Sequence, residues 1–464
     1  MENVAPQTTQ SSLSKINNWF KNSIMVKLAS IGFLMLMLMI PTSMIESLIW
    51  EREMRSNDVM NEVSSGWGRA QTITGPMLTI PYNSYYRDKD DKLRYIVKYA
   101  QFLPNDLNFE GAVEPEIRYR GLYKVVLYNS TLKITGNFPQ PSFKDWGVPP
   151  ENIKWNEARI SIGITDMRGI QESIEMDWNG KSFVFNPGIE NNADLNSGVS
   201  TNVDLSGSDS TNTQYNFSLN LDINGSRSLN FVPLGKETNV AINSSWGSPS
   251  FDGSFLPDTR EIAKDGSGFT ANWKVLHLNR NFPQKWIDDA KNIGSASFGV
   301  RFLFPVDHYQ KSMRSAKYAN MFLFLTFLIF FFVEIINKTR IHPIQYLLVG
   351  FGLSIFYALL ISLSEHISFD AAYLIGSAAI IALITGYSHT IFNNAKLTAL
   401  MGTVLVALYI FLFSILQMED YSLLLGSLGL FIVLAIVMYL SRKFKWYGGN
   451  EEDGTVREHF DSAQ

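Results

Sequence analysis

A Glu beside a His can move a proton or hold part of a metal, and this chain carries such a pair at Glu365 and His366, within Ser-Leu-Ser-Glu-His at 362–366. One carboxylate and one imidazole fall short of a zinc site, which takes three or four protein ligands. His308, just before a long apolar run, is the candidate for a third ligand. The chain has six His and no Cys, so thiolate metal sites and a disulfide framework are excluded. Neither His-Glu-x-x-His nor Gly-x-Ser-x-Gly occurs, so the spacings that build a zinc protease or a serine nucleophile are missing. Glu365 and His366 therefore read as a polar helix end. The sharper alternative makes them, with His308, a proton- or metal-responsive link between two parts of the protein. No cofactor, metal or enzymatic activity is expected; a membrane-embedded hydrolase would have to be built on Glu365 and His366.

A second set of chemically capable residues lies in the polar middle of the chain. Asp166 and Arg168 in Asp-Met-Arg-Gly-Ile, 166–170, read as a turn at a strand end, closed by Gly169, with an ion pair available. Arg260 and Glu261 in Asp-Thr-Arg-Glu-Ile, 258–262, read the same way. Trp246 and Phe251 are aromatic anchors, expected in the core rather than on a recognition surface. Asp166, Arg168, Trp246, Phe251 and Arg260 together make up the candidate ligand patch.

The elements that position these residues follow from apolar runs. Six runs, 24–50, 318–336, 344–363, 371–392, 397–416 and 422–440, have the length of spans, since about 20 helical residues cross a hydrocarbon layer of about 30 Å. The first lacks a small-residue cleavage site and is read as an uncleaved signal anchor. Lys338 and Arg340, Lys396, and Arg442, Lys443 and Lys445 sit in alternate links and after the last run, while the other links hold no Lys or Arg. That asymmetry places both termini in the cytoplasm. Lys311, Arg314 and Lys317, just outside the second run, go against it. The expected organisation is a cytoplasmic tail at 1–23, a first span at 24–50, a periplasmic domain at 51–316, spans two to six within 317–441 and a cytoplasmic tail at 442–464.

Within 51–316 the pattern is that of strands. Tyr215, Phe217, Leu219, Leu221 and Ile223 alternate with polar residues, the period that puts one side on a core and the other in water. Gly225-Ser226 predicts a turn and hence a hairpin to Ser-Leu-Asn-Phe-Val-Pro-Leu-Gly at 228–235. The Asn/Ser-rich stretch 191–214 is expected to be a mobile loop. Further strands are expected at 94–103, 123–138, 158–166, 181–185 and 238–246, and a helix at 51–70. The fold class is thus an α-helical membrane protein with an inserted all-β periplasmic domain: one N-terminal span, a β-sandwich-like domain or two, then a five-helix bundle.

Ionisable groups are scarce in the spans. Glu334 is expected to reach the interface, and Lys27 and Glu46 lie near the ends of the first run. A coupled transporter usually carries buried charges along its path. Small residues at four-residue spacing, Ala372 with Gly376 and Ala378, Ala382 and Gly386, suggest close helix packing instead. The net charge of −4 gives no support to a nucleic-acid partner.

The motifs resemble the CreD-like inner-membrane proteins, also called cell envelope integrity proteins. The resemblance rests on Gly-Pro-Met-Leu-Thr-Ile-Pro-Tyr (75–82), the segment 166–170, Phe-Asn-Pro-Gly (185–188) and the run 244–262. It continues through 317–334, 342–350, 362–366, 419–427 and Lys-Trp-Tyr at 445–447. It implies a bacterial inner-membrane protein linked to envelope integrity, colicin tolerance and β-lactam stress, under a two-component sensor-regulator system, with no established catalytic residue. The expected role is a non-catalytic scaffold or sensor that binds a periplasmic protein or wall component. The alternative is a transporter or flippase of lipid-linked or drug-like molecules working through the five-helix bundle.

Overall fold

The computed structural model describes residues 24–442 apart from 191, 193, 207–213, 288, 305–307, 338, 419 and 420. Almost all of both expected tails, with the motif at 445–447, lies outside the described residues. The chain divides into two compact units, Met1–Trp50 with His308–Gln464, and Glu51–Asp307. The second boundary falls at Asp307/His308, ahead of the position after 316 expected from sequence, because 308–317 is helical and belongs with the apolar helices.

The helices are α1 Ile24–Trp67, α2 His308–Lys317, α3 Ala319–Ile336, α4 Pro343–Ser364, α5 Phe369–Phe392, α6 Ala395–Gln417 and α7 Ser422–Ser441. Five of them, α1 and α3 to α6, are long and apolar enough to cross a membrane, and α7 adds a shorter apolar stretch at Leu424–Tyr439. The 22 residues of α4 rise about 33 Å, enough for the hydrocarbon layer. In lipid a helix is the form that pairs every backbone group within one segment. Local chemistry sets the ends. Pro343 occupies the first turn of α4, where its missing N–H costs nothing. Ser368 accepts from Ala371 N–H and Asn394 from Lys396 N–H, capping α5 and α6. Asn393, at φ 45°, ends α5 in the left-handed conformation.

Small residues serve packing unevenly. A Cβ on Gly350 would stand 2.2 Å from Leu38 Cδ1, and one on Gly376 would touch the Phe356 ring at 3.5 Å. By contrast Ala378, Ala382 and Gly386 are exposed on the outside of their unit, and nothing lies within 4 Å of a Cβ at Gly386. The expectation that this row packs helices together is corrected: the buried face of α5 runs through Ala372, Gly376, Ile380 and Ile384 instead.

The other unit holds the strands. They begin with β1 Gln71–Arg87, β2 Leu93–Phe102, β3 Asp106–Arg120, β4 Tyr123–Pro139, β5 Ala158–Ile164 and β6 Glu175–Trp178. Next come β7 Lys181–Val184, β8 Asn186–Pro187, β9 Gly198–Val203, β10 Gln214–Ser226, β11 Ser228–Val232 and β12 Glu237–Ser244. The last are β13 Pro249–Gly253, β14 Thr259–Ile262, β15 Phe269–Leu276, β16 Lys285–Ile287 and β17 Phe298–Phe302. One nine-stranded sheet runs β13-β17-β11-β1-β5-β9-β8, with β2 and β16 extending from β1; an eight-stranded sheet runs β14-β15-β12-β3-β4-β10-β6-β7. Rings meet across the two sheets, Phe109 with Phe231 at 4.9 Å, Tyr128 with Phe302 at 5.2 Å and Trp273 with Phe298 at 5.7 Å. One contiguous apolar core results, so the unit is a single sandwich.

Three expectations are corrected. β10 and β11 do not form a hairpin: β10 pairs with β4 and β6, whereas β11 pairs with β1 and β17 in the other sheet. The chain changes sheets at Arg227, φ 63°, and Gly225 is small because the Tyr128 hydroxyl would lie 2.2 Å from any Cβ there. The stretch 191–214 is not all loop, since β9 lies within it and pairs with β5, and Asn192 and Leu195 are buried; residues 207–213 are outside the described set. Arg260 and Glu261 form no turn but sit in β14, an edge strand paired with β15.

Candidate functional site

Asp166 and Arg168 are brought together, and they build a joint where α1 meets the sandwich. The chain leaves β5 and enters a tight 3-10 turn capped by Asp166, whose side chain accepts from Arg168 N–H. The Arg168 guanidinium grips the same carboxylate in a fork, with Nε–Oδ1 and Nη2–Oδ2 both 2.9 Å. Its Nη1 donates to Ser65 O at 2.7 Å, in the last turn of α1, where helix carbonyls lack partners and a cation is favourable. Arg69 N–H donates to Asp166 Oδ2. Beneath this pair the fully buried Gln71 accepts from Asp166 N–H and donates to Asp166 O and Asn224 O. Gly169 is packed so close that a Cβ would stand 2.2 Å from Asn224 O.

Burial pushes the Asp166 carboxyl up, but the Arg168 guanidinium and the Arg69 and Arg168 N–H groups outweigh it and hold the group below the ordinary carboxylate range. A carboxyl depressed in the folded state contributes stability that is present above its unfolded value and lost as pH falls through its folded value. Acid unfolding followed by tryptophan fluorescence is therefore expected to show a shallower loss of stability below pH about 4 in Asp166→Asn than in the parent.

Beside the joint an open groove of about 860 Å³ is lined by Trp67 of α1, Glu114 and Glu116 of β3, Tyr128, Ser244, Glu261 and Ser267. It exists because β12 pairs with β3 only as far as Val113, while β4 continues alongside β3 to Arg120. Glu116 pairs with Arg118, whose guanidinium also lies over the Trp67 ring at 4.7 Å. Among the described residues no Lys or Arg lines the groove.

The five patch residues do not form one site. Trp246 donates from Nε1 to Ser248 O and Leu303 O, and packs edge-on to Phe302 and Phe304. Phe251 packs edge-on to Phe269 and Trp273. Both lean on the core, as their chemistry suggested. Arg260 is exposed on β14. Glu114 and Trp67 were not singled out in the sequence, since they come from separate elements and share no motif with Glu261.

In the apolar unit, Glu365 follows α4 and accepts from the Tyr309 hydroxyl of α2 at 3.3 Å. His308 lies against the Tyr309 ring, at 4.1 Å between centroids. His366 is exposed, with Nδ1 3.0 Å from Ser362 O. His308 and Glu365 thus flank one tyrosine while His366 points elsewhere. Among the described residues no group of three or more His, Cys, Asp and Glu is placed to hold a metal ion. Two of the cations that ran against the charge asymmetry have work at the end of α6: Lys311 donates to Gln417 Oε1 and Arg314 reaches Ile415 O, a carbonyl of the last turn. The expectation that Glu334 reaches the interface is corrected. Its side chain is 3% exposed and paired with Lys27 at 2.6 Å, as a charge inside an apolar bundle must be.

The profile of the family described as inner membrane protein CreD matches residues 23–447. The chain belongs to the CreD family. It is 30% identical over 439 residues to inner membrane protein CreD of Escherichia coli (strain K12), covering 92% of this chain and 94% of that one. Among solved structures, an M1 zinc metallopeptidase variant from Deinococcus radiodurans aligns at 11% identity over 37% of this chain and 38% of its own, with a TM-score of 0.17; that likeness carries no argument. Membership of the CreD family makes this an inner-membrane protein in contact with a lipid bilayer, and agrees with the several apolar helices.

Proposed function

We propose that this CreD-family protein stands with both termini in the cytoplasm and the sandwich in the periplasm, and supports envelope integrity under stress without catalysis. It does so by binding a periplasmic protein or wall component, as a scaffold or sensor under a two-component system. The orientation is supported by Arg340 and Lys396 in alternate links of the helical unit and by Arg442 after α7. The observation that carries the binding role is the open groove beside the joint. It joins an aromatic ring, exposed backbone of β3 beyond its pairing with β12, and carboxylates of which Glu114 and Glu261 enter no ion pair among the described residues. A concave site with a few converging polar groups is the usual form of a recognition surface.

The Cys-free chain offers a direct test. Ser267→Cys, at the groove, is expected to react with a membrane-impermeant maleimide in cells with an opened outer membrane, and a maleimide cross-linker there is expected to capture one defined partner. Labelling that appears only after the inner membrane is broken would overturn the orientation, and labelling without capture would overturn the binding role.

A further inference from the structure

We propose that a releasable latch, Lys27 on Glu334, fixes the first span to the rest of the helical unit. Packing along the length of α1 cannot do this alone. Of the most apolar window of α1 11% is buried, against 61% for α3 and 56% for α4. The seam that exists is narrow: Leu38 settles against Gly350, and Thr42 Oγ1 lies 3.3 Å from Asn320 Oδ1. At one end of that seam the Lys27 ammonium meets Glu334 Oε1 at 2.6 Å.

The surroundings of Glu334 make the contact releasable rather than permanent. Ile341 N–H also donates to Oε1, and the Tyr346 hydroxyl donates to Oε2, both at 3.1 Å. Both donors belong to the α3–α4 hairpin, so the carboxylate keeps two hydrogen bonds when Lys27 withdraws. Lys27 lies in the first turn of described α1 and is 32% exposed, and its flexible stem can carry the ammonium out to the headgroups. An ordinary buried ion pair strands a charge when it breaks; here the two remaining donors offset part of that cost at Glu334, and Lys27 regains polar surroundings. Two states of the first span are thereby available, and whatever prefers one shifts the balance. The latch does not depend on the sandwich binding a partner, so it and the reading above can fail separately.

Cysteine cross-linking in the full-length chain tests it. The pair Thr42→Cys with Asn320→Cys reports the seam, and Thr385→Cys with Gly402→Cys, whose positions touch between α5 and α6, reports the rest of the bundle. With a short thiol cross-linker, Lys27→Ala is expected to lower the first cross-link at least about five-fold and leave the second unchanged. Lys27→Arg is expected to keep both within about two-fold, since a cation still reaches Glu334. Unchanged cross-linking at the first pair in Lys27→Ala would overturn the latch. Loss at both pairs would overturn it as well, because Lys27 would then be a determinant of the whole fold.

Discussion

Replacing Gly169 by Ala is expected to destabilise the β-rich unit by about 3 kcal/mol or more, a change out of proportion to one methyl group. A Cβ at 169 would stand 2.2 Å from Asn224 O and 2.6 Å from Gln71 Nε2. The first atom is backbone of β10, held in the ladder to β4, and no rotamer change moves it away. The second is the amide that donates to Asp166 O and Asn224 O. Displacing it leaves two buried carbonyls without their donor, at about 1–3 kcal/mol for each group left unsatisfied. The joint under α1 would open first. Gly294→Ala is the comparison, because nothing lies within 4 Å of a Cβ at that position, and it is expected to stay within about 0.5 kcal/mol. Denaturant unfolding of the full-length protein, followed by tryptophan fluorescence, measures both. Equal midpoints for the two variants would show that Gly169 is not a point of close approach.

The reason Gly169 matters could not be read from the sequence, and the way it was hidden is general. Asp166 and Arg168 stand two residues apart and carry opposite charges, so their pairing was visible. Gln71 was not, because its partners are backbone groups of Asp166 and Asn224, 95 and 153 residues away, and a backbone carbonyl leaves no mark on residue type. The same distinction separates the strands. β10 was legible from clean alternation, whereas β9 sits in a polar stretch whose inward Val199, Thr201 and Val203 give little contrast with their neighbours. Gly225-Ser226 looked like a turn because Gly permits one, yet here the glycine makes room for a tyrosine in the core. The helices were the easiest elements, since the thickness of a bilayer fixes their length and composition together. Which helices touch was another matter: Lys27 and Glu334 are 307 residues apart, and each alone looked like a residue at a membrane edge. The groove stayed hidden for the same reason, with Glu114 and Glu261 arriving from strands that are separated in the sheet by β12 and β15.

A second large effect is expected at Arg280, a residue the sequence did not mark. Its side chain is 9% exposed, and among the described residues its partners are oxygens of neutral groups rather than carboxylates. Nη1 donates to Phe282 O at 2.6 Å and Nη2 to Leu234 O at 3.0 Å, and Nη2 also meets Gln284 Oε1. Gln284 passes the connection on, donating to Pro104 O at 3.0 Å. The guanidinium plane rests 4.0 Å over the Phe282 ring. Three loops, after β2, after β11 and before β16, are therefore tied through one cation. Burial lowers its pKa to about 10, so at neutral pH it remains charged and keeps donating. Arg280→Ala removes the donors and leaves the carbonyls of Leu234 and Phe282 facing an apolar interior, which is expected to cost about 3 kcal/mol. Arg280→Lys keeps the charge but concentrates it on one nitrogen, which cannot span oxygens set apart to suit a planar fork. It is expected to recover less than half of the loss. Unfolding midpoints of the two variants at neutral pH measure this, and full recovery by lysine would mean that charge alone, not the geometry of the fork, holds the three loops together.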